Sequence, residues 1–440
     1  MLEKAFKLKR NNTTVRKELL AGLTTFMAMS YAIFVVPSIL SSTGMDYTSV
    51  YGATIIATIL GTLLLGLVAN VPYAQSVGIG TASLFTYTIC FQLGFTWQEA
   101  LAMLFISSLI NITIAFTNIR TLIIKSIPDF IQEAITVGIG LFIAYIGLIN
   151  AGIITFIDTP RLSDFSSPSV ILALIGIVIT SVLVVRKVKG AYLIGIILTT
   201  LIGIPMGVTG VPDFSHYFII PNLDATILKM DFSGLLSIKS SLVIVLMTVF
   251  TLCISDLFDS IGVFIGTGKK SGIFKLNKNG KIPRKLEVAI IADTLGLIIA
   301  PVLGTSTTTT YVESSSGIES GGRTGLTSVF VALCFLFSLA LAPIVKCVPM
   351  AAISPVLILV GASMLENIDK IDFKDITIAI PAFFVIIMMP LGYSISAGIQ
   401  FGFIMYVVTR LVSGKKDEIS IMMYVFSLLF IVQYIFNAIL

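Results

Sequence analysis

Three carboxylates stand in parts of this chain where their side chains are out of place. Asp256 and Asp259 lie in the apolar run SLVIVLMTVFTLCISDLFDSIGVFIG, and Glu313 lies in GTSTTTTYVESSSGIESGGRTG, between two apolar runs. A carboxylate at membrane depth is costly and is read as functional. Asp256 and Asp259 are three residues apart, so they share one helix face. A like-charged pair in that setting does not keep both charges, and at least one carboxyl is expected to hold a proton near neutral pH. Such a group can take a proton on one side of a membrane, accept a hydrogen bond from a solute, and release both on the other. A second role is open to each aspartate, a hydrogen bond to backbone groups of a broken helix. Both roles stay open for Asp256, while Asp259 and Glu313 are read as solute contacts. A fourth acid, Asp293 in IIADTLG, is read as structural, paired with a hydroxyl or with a Lys or Arg near a helix end.

The stretch around Glu313 is organised unlike any lipid-facing helix. Hydroxyls at Thr305, Ser306, Thr307, Thr308, Thr309 and Thr310 precede Tyr311 and Glu313, and three serines follow. Irregular polar backbone at membrane depth is tolerated only where protein buries it or water lines it. The stretch lacks Pro and is dense in β-branched Thr, which favours a strand. It is expected to cross half the membrane as an extended strand and then to become a short helix, with Glu313 on one wall of a solute site. The alternative is a polar surface loop between two spans.

Composition restricts the remaining choices. The chain has 440 residues, 56% hydrophobic and 12% charged, with a mean hydropathy of +1.03. Several runs exceed 18 apolar residues, long enough to cross about 30 Å of hydrocarbon as helices. This is a polytopic all-α membrane protein. The net charge of +5 falls in particular loops and does not point to nucleic acid. Cys90, Cys253, Cys334 and Cys347 have no metal spacing and indicate no disulfide framework. His216 is the only histidine and sits in a loop, which excludes a histidine metal cluster or proton relay. No metal or other cofactor is expected, and no enzyme activity, because a nucleophile–base pair is hard to build without an intramembrane histidine. No Walker sequence and no K⁺-filter sequence is present, and the amino terminus does not read as a cleavable signal peptide.

The spans read as 18–41, 48–70, 74–92, 97–117, 130–150, 169–185, 190–209, 238–267, 286–303, 304–319, 326–345, 350–365, 375–391 and 393–412, followed by an apolar run at 419–440. A cytoplasmic amino terminus puts the basic loops inside: Arg120 with Lys125, Arg186 to Lys189, Lys269 to Lys285, Arg323, Lys370 with Lys374, and Arg410 to Lys416. The opposite loops are poor in base: Arg161 faces Asp158 and Asp164, and Lys229 faces Asp213, Asp224 and Asp231. Lys239 and Lys346 run against the scheme. Fourteen spans divide at the 210–236 loop into seven and seven, so the halves insert with opposite topology, the arithmetic of an inverted repeat. The third span of each half then corresponds. In the first half it is AQSVGIGTASLFTYTICFQ, residues 74–92; in the second it is the Thr-rich stretch, the tenth span overall. Paired interrupted segments of this kind point to a transporter site.

The runs SDLFDSIGVFIGTGKKSG, LGTSTTTTYVESSSGIESGGRTG and KELLAGLTTFMAMSYAIFVVPSIL resemble the nucleobase–cation symporter family of xanthine and uracil permeases. They are most similar to its hypoxanthine/guanine/adenine branch, the azaguanine-resistance group. The resemblance extends through IPDFIQEAITVGIGLFIAYIGLINAGII and SPVLILVGASML to about residue 412. It implies a 7+7 inverted repeat with half-strand spans at the third and tenth positions. It also implies a core domain at 17–118 and 237–347 and a gate domain at 119–236 and 348–414; outside the resemblance stand a basic amino terminus at 1–16 and a hydrophobic helix at 415–440, whose apolar run at 419–440 either crosses once more or lies along the gate domain. The implied function is import of a nucleobase, first a purine, by proton symport through elevator-like alternating access in the plasma membrane, with copies pairing through the gate domain.

The implied substrate residues are Asp259 and Glu313, with Gly80, Ala82 and Thr309 on the broken spans and Phe85 or Phe258 stacking on a ring face. Proton coupling falls to Asp256, Asp259 and Glu313. Carboxylates suit the ring N–H donors of a base. One departure stands out. The purine branch usually carries Pro-Gly and a nearby Asn in the third span, where this chain has Val77-Gly78 and Ala82 with Ser83 beside it. The loss of that amide leaves other bases, or another small planar or anionic solute, as alternatives.

Overall fold

Segments that cross a bilayer must satisfy every backbone N–H and C=O within the protein, and the apolar runs of this chain do so as helices. The computed structural model describes residues 2–117, 126–156, 159–163, 165–210, 223–236, 242–271, 273–274, 284–341 and 347–439, without the side chains of 156, 236, 257–259, 261–262, 265–271, 341, 396, 433 and 436–439. Of the loop residues named above, Arg120, Lys125, Asp158, Asp164, Asp213, His216, Lys239, Lys346 and the basic segment 275–283 lie outside the described residues. Among the described residues, seven helices are long and apolar enough to cross a membrane, and shorter apolar helices of 10–17 residues accompany them.

A short helix, α1 (Leu2–Phe6), starts the chain, and its Phe6 packs with Leu8 against Leu326. The run read as one span at 18–41 folds as two successive helices, α2 (Val15–Met29) and α3 (Ala32–Ser41). They meet at Ser30–Tyr31, where the Ser30 hydroxyl donates back to the Met27 carbonyl at 3.3 Å and competes with the helix ladder. Helix α4 (Tyr47–Leu64) is capped by Asp46 and runs on as a π-helical turn, Leu65–Ala69. The third run is broken into a strand, β1 (Gln75–Val77), a short helix, α5 (Ile79–Ser83), and a π-helical segment, Leu84–Gln92. Helix α6 (Trp97–Ala115) starts on a capping box, in which Thr96 and Glu99 each satisfy the other's backbone N–H.

Beyond it come α7 (Asp129–Asn150), a two-stranded hairpin of β2 (Ile154–Phe156) and β3 (Pro160–Leu162), α8 (Pro168–Val185) and α9 (Ala191–Gly203). The second half holds α10 (Leu242–Ser271), α11 (Arg284–Leu303), β4 (Thr308–Thr310), α12 (Ser314–Glu319) and α13 (Gly325–Ser338). It ends with α14 (Met350–Met364), α15 (Ile376–Leu391), α16 (Ile395–Val412) and α17 (Ile421–Ile439).

The packing falls into two groups. Helix α11 lies on α4 and α6, α13 lies on α2 and α4, and α12 lies on α2. Helix α7 lies on α14 and α15, α8 on α9 and α14, and α15 on α16. Small residues let these backbones approach, as is usual between helices in lipid. A Cβ on Gly325 would lie 1.8 Å from the Gly66 carbonyl oxygen, so α13 crosses the turn after α4 in backbone contact. The last apolar run, α17, lies along α16 and α10: the Ser427 hydroxyl donates to the Phe403 carbonyl at 3.0 Å, and Phe426 meets Phe250 at 4.6 Å between ring centroids.

Candidate functional site

The two interrupted stretches meet. Strand β1 pairs antiparallel with β4 in the register Gln75↔Thr310, Ser76↔Thr309 and Val77↔Thr308. The ladder extends by one bond at each end, from the Gly78 N–H to the Thr307 carbonyl and from the Tyr311 N–H to the Ala74 carbonyl, both 3.0 Å. Each strand is followed by a short helix, α5 after Gly78 and α12 after Tyr311–Glu313. Because the strands are antiparallel, α5 and α12 begin at opposite ends of the pair. Three residues per strand are few, and β-branched Thr on one side with buried neighbours on both keeps the pair extended.

Hydroxyls and amides from neighbouring helices satisfy the strands from the side. Gln75 is fully buried, and its Nε2 donates to the Asp293 Oδ1 at 2.7 Å and to the Asp293 carbonyl at 2.9 Å. The same Oδ1 accepts from the Thr310 hydroxyl at 2.5 Å. Asp293 on α11 thereby bonds residues that face each other across the two strands. Glycine is required on both sides of this amide. A Cβ at Gly61 or Gly296 would come within 2.0 Å or 2.2 Å of the Gln75 Oε1.

Helix α10 binds β4 and the residue before it through residues four apart. Asp256 Oδ1 accepts from the Thr307 hydroxyl at 2.8 Å, and the Ser260 hydroxyl shares a hydrogen bond with Thr309 at 3.2 Å. Asp259 falls between these anchors on the helix backbone; its side chain and that of Phe258 lie outside the described residues. Glu313 stands at the N-cap position of α12 and is half-buried. Its Oε1 accepts from the Tyr31 hydroxyl at 2.6 Å, at the break between α2 and α3. The edge of the Tyr31 ring meets Tyr192 of α9 at 5.2 Å between centroids.

The remaining sequence candidates lie around the strand pair with different exposures. Gly80, on α5, is half-buried and faces Ile139 of α7. Ala82 and Phe85 are fully buried, so Phe85 presents no open ring face. Ser83, beside Ala82, is buried, and its hydroxyl has no partner among the described residues. Thr309 is buried and engaged with Ser260. Tyr31, Tyr192 and Gln75 are absent from the sequence candidates. An aromatic ring in an apolar run reads as core, and only Gln75, the amide in AQSVGIG, carries a polar signal that could have singled it out.

Chemically, this is a buried pair of strand ends with one half-exposed carboxylate and a tyrosine hydroxyl beside it. Among the described residues, nothing in it pairs a nucleophile with a base. A protein-family model described as "Permease family" matches residues 16–401. The chain belongs to this permease family. Its relatives cover it nearly from end to end. The adenine permease AdeP of Escherichia coli is 35% identical over 99% of this chain and 96% of its own. The guanine/hypoxanthine permease PbuO of Bacillus subtilis is 38% identical over 97% and 99%. A chain of Methanocaldococcus jannaschii, named only as a permease, is 43% identical over 99% and 98%.

Among solved structures, this permease is similar to the transmembrane domain of the cyanobacterial bicarbonate transporter BicA, with a TM-score of 0.61 at 15% identity over 87% of this chain and 96% of that one. It is also similar to the murine anion transporter Slc26a9 in its inward-facing state, with a TM-score of 0.63 at 12% identity over 89% and 68%. At such identities the likeness concerns the fold. The permease is a multi-pass membrane transporter and not an enzyme.

Proposed function

We propose that this permease imports a nucleobase, first a purine, by proton symport. The observation that carries the reading is Glu313, a half-buried acid placed where a paired strand becomes a helix and held by the Tyr31 hydroxyl. A purine offers ring N–H donors, which a carboxylate accepts, and acceptor edges, which backbone N–H groups freed at strand–helix breaks can serve. The names of the relatives, adenine and guanine/hypoxanthine permeases, support the same class of solute.

In this reading Glu313 and Asp259 hold the base, with Gly80, Ala82 and Thr309 lining the broken spans and Phe258 against the ring; the fully buried Phe85 lies behind them. Asp256, Asp259 and Glu313 carry the proton. Ser83 stands in for the missing third-span amide. The chain crosses the membrane fourteen times as two inverted halves, with β1 and β4 as the extended parts of the third and tenth spans. The core comprises 17–118 and 237–347, the gate 119–236 and 348–414, and the core slides against the gate to expose the site alternately. The amino terminus lies in the cytoplasm, the protein sits in the plasma membrane, and two copies pair through the gate.

The test is uptake of radiolabelled hypoxanthine, guanine, adenine, xanthine and uracil by cells lacking their own permeases, with and without a protonophore. Saturable uptake that the protonophore abolishes is expected for at least one purine. Uptake of none would move the search to other planar or anionic solutes on this scaffold. Accumulation driven by sodium alone would change the coupling ion. Asp259→Asn and Glu313→Gln are expected to abolish uptake at normal membrane expression, and normal transport by both would remove the site assignment.

A further inference from the structure

Glu18 is a fully buried carboxylate that the proposed transport step leaves unused. It lies in the first turn of α2, beside the basic leader. Its oxygens accept from the segment that follows the Glu313 helix. Oε1 accepts from the Arg323 N–H at 3.0 Å. Oε2 accepts from the N–H groups of Thr324 at 3.3 Å and Thr327 at 3.1 Å, and from the Thr327 hydroxyl at 2.5 Å. These N–H groups open α13, where backbone donors mostly lack intrahelical partners and negative charge is favoured; the Thr327 N–H also reaches the Thr324 carbonyl at 3.2 Å. A side chain from the first span thus caps a helix from the other end of the chain.

The capped segment also closes α12. Arg323 turns back and donates through Nη1 to the Ile318 carbonyl at 2.5 Å and to the Gly322 carbonyl at 2.7 Å. Between its ends, α12 rests on α2. A Cβ on Gly317 would meet the Thr25 Oγ1 at 2.0 Å and the Ala21 carbonyl at 2.7 Å. Glu18, Ala21 and Thr25 follow one another at helical spacing down one face of α2. Beyond the far end of that helix, Tyr31 holds Glu313.

A helix of six residues is too short to keep its own place, so its position is that of its anchors. We propose that Glu18 is a positioning residue. By fixing the 323–327 segment it fixes α12, and with it the place of the Glu313 carboxylate in the site. The proposal rests on the reading of Glu313 as a solute contact.

The test uses the full-length chain, purified in detergent for hydrogen–deuterium exchange and expressed in permease-deficient cells for uptake of the base it carries. Glu18→Gln keeps the size but turns an NH₂ donor toward groups that need an acceptor. Thr327→Val removes one hydroxyl donor and keeps the carboxylate. Glu18→Gln is expected to speed exchange in 314–327 selectively and to raise KM roughly tenfold, the scale of a lost hydrogen bond to a charged group. The maximal rate per carrier is expected to stay near that of the unaltered chain, whereas a general folding defect would lower it and leave KM in place. Thr327→Val is expected to move both readouts the same way by less, and it decides alone if Glu18→Gln fails to reach the membrane. Unchanged exchange at 314–327 overturns the anchor, and faster exchange with an unchanged KM overturns its positioning role. Glu313→Gln, measured in parallel, keeps the two ideas apart. Normal uptake by that variant would remove the solute site itself, while the exchange data still judge the anchor.

Discussion

The Tyr31 hydroxyl donates to the Glu313 Oε1 at 2.6 Å, and the same ring leans edge-on against Tyr192 at 5.2 Å. One residue at a helix break therefore touches both the acid of the candidate site and a helix of the other packing group. In the proposed cycle these groups move past each other, so this ring must change partners when Glu313 changes sides. Tyr31→Phe keeps the ring contact and deletes the donor. A hydrogen bond to a charged group is worth about 1.5–3 kcal/mol, so the apparent affinity for the base is expected to fall at least about tenfold. Competition uptake measures it, and unaltered affinity would show that Glu313 does not depend on this donor.

Asp256 offers a way to separate coupling from binding. Its Oδ1 accepts from the Thr307 hydroxyl at 2.8 Å, and an amide oxygen can keep that bond. Asp256→Asn is therefore expected to preserve the strand pair and solute exchange across the membrane, yet to lose accumulation against a gradient. Counterflow in preloaded vesicles measures exchange, and uptake under an imposed pH gradient measures accumulation. Full accumulation by the variant would take Asp256 out of the proton path.

The Gln75 amide is wedged between two glycines. Gly296→Ala would bring a methyl within 2.2 Å of its Oε1, while Nε2 is tied to Asp293. Overpacking of this kind costs about 1–3 kcal/mol, so the purified protein is expected to melt at a lower temperature and to transport less. Gln75→Ala in the same chain relieves the clash. The double variant should therefore be less destabilised than the two single effects added together. Simple additivity in the melting series would mean that the side chain moves aside freely.

The loop before α10 gives a pH prediction. Asp231 Oδ1 accepts from the Ser233 hydroxyl at 2.7 Å and from the N–H groups of Ser233 at 2.9 Å and Gly234 at 3.2 Å. The Ser233 hydroxyl first, and then the Gly234 N–H, hold this carboxyl below the ordinary carboxylate value. The unfolded chain, with the ordinary value, takes up its proton first. The stabilisation is therefore complete above the ordinary value and fades as pH falls through the lowered one. Asp231→Ala is expected to melt below the unaltered protein at neutral pH, with the gap closing in acid. A gap that stays constant with pH would mean that the charge contributes nothing.

Much of this architecture is legible in one dimension. Runs such as 130–150 and 169–185 announce their helices because apolar length in lipid leaves the backbone little choice. The Thr-rich stretch at 304–319 announces an interruption, and a short strand followed by a short helix stands there. Its acid was visible for the same reason, as a carboxylate between apolar runs. Asp293 reads as structural, with a hydroxyl or a Lys or Arg near a helix end as its partner; it accepts from the Thr310 hydroxyl, and its bond to Gln75 had no signal in spacing.

What the tertiary structure alone decided is partnership. Hydropathy and residue propensity are local quantities, and they say where a helix stops but not which distant group meets its end. Glu18, which nothing in its local sequence singles out, is a buried cap for α13. Tyr31 looked like core and holds Glu313, because α2 breaks at the level where α12 begins. The register that sets Gln75 against Thr310 is likewise a product of packing. Two three-residue strands, each with an open edge, become ordered only where surrounding helices bring them together and satisfy their polar groups.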